Sequence, residues 1–107
     1  MAAKDVLEII NTAKFAIQTI KENGEKLDER NTRHNERVKQ QEKEMIDHLG
    51  NIRNDTMTET TEAFLARYSA VNAALVAEKE NLDREQTELD DQSIRIRESL
   101  DRVISLV

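Results

Sequence analysis

With 107 residues, 36% of them charged and 3% aromatic, the chain is too polar to close a compact globular core and reads instead as elongated helices. Twenty-two acidic against sixteen basic side chains leave a net charge of −6, which argues against a phosphate-backbone partner and excludes general nucleic-acid binding. Cysteine is absent, so there is neither a disulfide framework nor a thiolate metal site, and no apolar run approaches the ~20 residues of a membrane span.

With no proline, only two glycines and an abundance of Glu, Lys, Arg, Gln, Ala and Leu, the expected fold is all-α: one long antiparallel helical hairpin, coiled-coil-like, assembling into a helical bundle. Lys4, Asp5, Glu8 and Lys14 interrupt the N-terminal stretch, unlike the apolar core of a secretory signal. The chain is therefore expected to be soluble and cytoplasmic, with export without a cleavable signal peptide as the alternative.

The first helix is predicted over about residues 3–49. Val6, Ile10, Ala13, Ile17 and Ile20 follow a 4-3 spacing, and Leu7, Ile9 and Ala16 widen that face to roughly half the circumference. Phe15 falls on the opposite side. Asn23-Gly24 offers an additional break, since Asn-Gly commonly ends a helix, yet the same spacing runs straight across it through Ile20, Leu27, His34, Gln41 and His48. Between Asp28 and Asp47 the seam keeps Val38 and Met45 but is otherwise polar, and Asn31, His34, Gln41 and His48 are placed to specify register. Arg30, Arg33 and Arg37 line one face, diluted by Glu36, and read as a solvated surface rather than as a dock for an acidic partner.

A turn is expected at about residues 50–55. Leu49-Gly50-Asn51 supplies a glycine cap, Asp55 or Thr56 can start the next helix, and Thr56-Met57-Thr58-Glu59 matches the capping box. The second helix, about residues 56–107, is the stretch around which the chain is organised. Tyr68, Leu75, Leu82, Leu89, Ile96 and Val103 recur at intervals of seven, with a second row through Phe64, Val71, Glu78, Glu85, Gln92, Ser99 and Leu106.

Folding the chain about that turn sets residue i near 105 − i. Phe64, Tyr68, Val71 and Leu75 would then face Arg30, Arg33, Arg37 and Lys39, whose stems cover apolar surface only in part. These four residues are the predicted partner-binding set, in a homodimer or higher homo-oligomer or against a helical partner protein. No other region offers chemistry. His34 and His48 lie fourteen residues apart, about 21 Å along one helix, and cannot share a metal within one subunit. Glu44 and His48 form at most half of an inter-chain site. No nucleophile or phosphate-loop motif is present, and the carboxylates line a solvated helix, so neither a catalytic residue nor a cofactor nor a metal is expected.

The function expected from these features is a non-enzymatic coiled-coil interaction module, a small scaffold or adaptor. The alternative is a secretion-associated hairpin, an exported substrate or a chaperone. In length and layout the chain resembles the small Trp-x-Gly helical hairpins exported by type VII secretion systems. It departs from them in having no Trp at the turn and no Tyr-x-x-x-Asp/Glu after the second helix.

Overall fold

The N-terminus shows how little is needed to start a helix in this sequence. The carbonyl of Ala2 accepts the N–H groups of Asp5 (3.0 Å) and Val6 (3.2 Å), and Asp5 sits in the first turn, where a negative charge complements the helix dipole. From this start the computed structural model, which describes residues 2–106, forms α1 over Ala3–Asn54 and α2 over Thr61–Leu106. The protein is all-α, as its composition requires.

α1 runs unbroken past both glycines. Neither has positive φ, and a Cβ built at either would meet nothing within 4 Å. Of the two readings open at Asn23-Gly24, the unbroken helix is the one found, because a helical glycine costs only about 1 kcal/mol and seam residues on both sides hold the helix; Leu27 is buried and Ile20 half-buried.

The turn also lies further along than its capping signals indicated. α1 continues through Gly50 and ends where Asp55 takes the left-handed conformation, φ 55°. There the N–H of Thr56 reaches the carbonyl of Asn51 (2.9 Å) and that of Asp55 reaches Ile52 (3.4 Å), the paired bonds of a Schellman motif. Asp tolerates this conformation better than most residues with a Cβ, so glycine is dispensable at the cap. α2 is capped by Thr60 rather than by Asp55 or Thr56: its hydroxyl accepts the N–H of Ala63 at 3.1 Å. The expected capping box over residues 56–59 therefore lies in the connection, and Glu59 turns instead to Arg67.

The chain divides into two units, one of residues 2–29 and 83–106, the other Arg30–Leu82, which contains the turn. Within each unit the α1 and α2 segments run antiparallel. In Arg30–Leu82, His34 meets Glu78 and His48 meets Phe64, so residue i faces about 112 − i rather than 105 − i. The first unit pairs in the same way, with Ala16 beside Ile96 and Ile20 beside Ser93. Moving the turn later has advanced the register by two helical turns.

Burial follows that register. In the first unit Ala13, Leu27 and Val103 are buried; in Arg30–Leu82 Phe64, Leu75 and Leu82 are buried together with the polar His34, Gln41 and His48. The second seam row departs from its expected course. Val71 is 41% exposed, and Gln92 and Ser99 are exposed while Ser93 and Leu100 are half-buried. A helix with 3.6 residues per turn drifts ~20° per heptad, so an eleven-residue step, as from Phe64 to Leu75 or from Leu82 to Ser93, returns closer to the seam than a second seven.

Candidate interaction surface

The four residues expected to be left uncovered are separated by this register. Phe64 is 2% exposed and Leu75 is 8% exposed, Tyr68 is half-buried, and only Val71 remains open. Phe64, Tyr68 and Val71 lie level with His48, Glu44 and Gln41, and only Leu75 stays level with an arginine, Arg37. The Phe64 ring stacks on His48 with centroids 4.0 Å apart and planes 5° from parallel, and Tyr68 tilts against Phe64 at 5.8 Å. The polar seam of α1 is thus a partner for aromatic faces, and the deficit of apolar surface that made these residues a binding set is met within the unit.

The three buried polar residues of the α1 seam, His34, Gln41 and His48, each have a partner on α2. Gln41 donates its side-chain amide to the backbone carbonyl of Tyr68 at 3.0 Å, and His48 Nε2 lies 3.4 Å from the Thr61 hydroxyl. His34 Nδ1 donates to Glu78 Oε1 at 2.7 Å, and Arg37 donates to the same oxygen. The Arg37 hydrogen bond, seconded by that of His34, holds the Glu78 carboxyl below the usual range against the opposing effect of desolvation. Nearer the turn, Arg67 donates to Glu59 (2.8 Å) and Glu44 (3.2 Å), and its guanidinium carbon lies 5.2 Å from the centre of the Phe64 ring. Those two carboxylates, Glu59 foremost, raise the Arg67 pKa further above its ordinary value.

These contacts give unit Arg30–Leu82 two unlike sides. On one, Arg30, Arg33, Arg37, Glu78 and Leu82 line a small polar hollow, and the Glu44–Arg67–Glu59 group continues the charged side toward the turn. On the other, a cleft is lined by His34, Val38, Gln41 and Glu42 from α1 and by Tyr68, Asn72, Leu75 and Val76 from α2, with Lys79 and Glu80 at its edge. Residues three, four and seven along a helix share a face, so Met45, Ile46 and Leu49 continue the line of Glu42, and Leu65 that of Asn72. Ile46 is 67% exposed, Val76 54%, Leu49 53% and Leu65 46%. Of these, Ile46 and Leu49 are the residues that sequence reading missed. Their signal was a second apolar stripe beside the heptad seam, masked because attention to the seam alone treats stripe residues as solvent-facing.

The first unit carries a cleft on each side of its helix pair. One is lined by Asp5, Glu8, Ile9, Thr12, Ala16 and Ser99, among others, and the other by Ile17, Ile20, Ser93, Ile96, Arg97 and Leu100. Phe15 is 77% exposed, as its position opposite the seam implied. Among the described residues no group of three His, Cys, Asp or Glu is placed to hold a metal ion, and no helix is long and apolar enough to cross a membrane. No protein-family model matches the chain, and neither a curated protein nor a solved structure is significantly similar to it.

Proposed function

We propose that the protein is a non-enzymatic helical interaction module, whose paired helices present apolar sides to the helices of a partner chain. One observation carries this reading. Among the described residues the buried apolar set is Ala13, Leu27, Phe64, Leu75, Leu82 and Val103, whereas a larger number of big apolar side chains, Ile46 and Ile104 among them, stay largely exposed. Exposed apolar residues scattered singly are ordinary, but a row of them along one side of a helix pair is the pattern of a docking surface. Helices of this length draw most of their stability from packing, which two helices with a half-polar seam supply only thinly.

The test is photo-crosslinking in the cells of origin, with benzoylphenylalanine in place of Leu49 on the apolar side or of Glu36 on α1 away from it. A discrete crosslinked polypeptide at position 49 and none at 36 is the expected result. The absence of any crosslinked polypeptide at 49 would overturn the reading.

A further inference from the structure

We infer that the polar hollow on the charged side of unit Arg30–Leu82 is a binding site for a single hydrogen phosphate ion, preferred over sulfate and over phosphate esters. The inference stands apart from the interaction-module reading, and neither depends on the other.

Arg30, Arg33 and Arg37 are spaced by three and four, which sets them on one face of α1 within about 10 Å of its axis. That spacing alone describes a solvated surface. The fold adds Glu78 and Leu82 of α2 across from them, and the five side chains line a hollow of about 80 Å³. Sites for organic ligands run from about 300 Å³ upward, so this one holds a small ion and not a nucleotide or a sugar. An extended polyanion is excluded as well, because Glu36 and Glu44 flank the arginines on α1 and the whole chain carries a net charge of −6.

The existing pairs leave donors to spare. A guanidinium carries five N–H donors, more than one carboxylate takes up, so each arginine can serve a partner and a ligand together. Arg37 reaches Glu78 through Nη2, which leaves Nε and Nη1 for the hollow. Three guanidiniums against one carboxylate give the lining a net charge of +2, and one dianion balances it.

Glu78 decides which dianion. Arg37 and His34 both address its Oε1, and its carboxyl is held below the usual range, so Oε2 meets a ligand as an ionised acceptor. An acceptor beside a bound anion is repulsive unless the anion brings a proton. Hydrogen phosphate keeps a P–OH while carrying two charges. Sulfate has no proton at neutral pH, and a phosphate ester, with its second pKa at about 6, has lost most of its own by pH 7. Hydrogen phosphate therefore accepts from the arginines and donates to Glu78, whereas the other two set an oxyanion against a carboxylate.

NMR titration of the full chain at pH 7 and constant ionic strength tests this, with sodium phosphate, sodium sulfate and phosphoserine in a blocked alanine pentapeptide as probes. Phosphate should shift the Nε–H resonances of Arg30, Arg33 and Arg37 along one saturable curve with Kd below about 1 mM, and the other probes should bind at least about fivefold more weakly. Arg33→Gln, which leaves Glu78 and the seam in place, should weaken phosphate about tenfold, while Arg67→Gln, on the same side nearer the turn, should leave it unchanged. In Glu78→Gln the ionised acceptor is gone, so sulfate should bind as well as phosphate does. Because the site needs both helices, phosphate should also raise the thermal midpoint above that in equal sulfate, a comparison in which the general stabilising action of the two salts cancels. The absence of a saturable shift up to about 10 mM phosphate, equal affinity of the wild type for sulfate, or tighter binding of the phosphopeptide would each overturn the inference. So would an Arg33→Gln protein that binds phosphate like the wild type, or an equal loss in Arg67→Gln.

Discussion

Glu78 completes one buried position of the polar seam, as the shared acceptor for the His34 imidazole and for Arg37 on the facing helix. Its carboxyl titrates below the usual range, so the folded state binds that proton less readily than the unfolded chain does. The stabilisation is complete above about pH 4.5, the ordinary value for Glu, and is lost as pH falls through the lower folded value. In Glu78→Gln that pH dependence should flatten, while at pH 7 the protein should be less stable by about 1 kcal/mol, a typical contribution for a partly exposed charge-assisted hydrogen bond. Urea titrations of both proteins at pH 7 and pH 3 check this: the gap between their midpoints should narrow at the lower pH. A gap that stayed constant would mean that the pairing contributes nothing through charge.

At the scale of the elements, the continuity of α1 makes its glycines a weakness that no packing requires. Gly24→Ala and Gly50→Ala should each raise stability by about 0.8 to 1 kcal/mol, since Ala gains helix propensity and its Cβ enters open space. A fall in the thermal midpoint for either would reveal a non-helical role for that glycine. Much of the helical layout was legible beforehand: the seven-residue recurrence of Leu75, Leu82 and Val103 and the polar seam positions His34, Gln41 and His48 all lie inward as their spacing required. The turn was not legible to the same degree. Gly50, Asp55, Thr56 and Thr60 are all competent capping residues, and local grammar does not rank them. What distinguishes Asp55 with Thr60 is non-local, because only the later turn brings His48 over the Phe64 ring. The candidate surface was misread for the same reason. Phe64 and Leu75 were assigned to a partner under a register two helical turns out of step, and the stripe of Ile46, Leu49, Leu65 and Val76 becomes visible only once those two are accounted for.

For the whole molecule, association and stability are one measurement. If folded chains pair and unfolded ones do not, the thermal midpoint must rise with protein concentration, and a hundredfold increase from 1 μM should raise it by several degrees. Circular dichroism melts at both concentrations check this, and a midpoint independent of concentration would describe a self-sufficient monomer. The seam has a further property that bears on how such a protein carries load. In Arg30–Leu82 the inward residues of α1 step by seven, whereas on α2 Phe64 to Leu75 is a step of eleven followed by seven to Leu82. Two rulers with unequal divisions coincide at one setting, as on a vernier. Sliding α2 by a heptad would bring Phe64 onto Gln41 and strand His48 opposite the connection, so there is no neighbouring notch in which the helices could rest. Tension applied along the helix axes must therefore be resisted by the whole set of contacts at once, whereas tension that spreads the helices apart meets them one layer at a time.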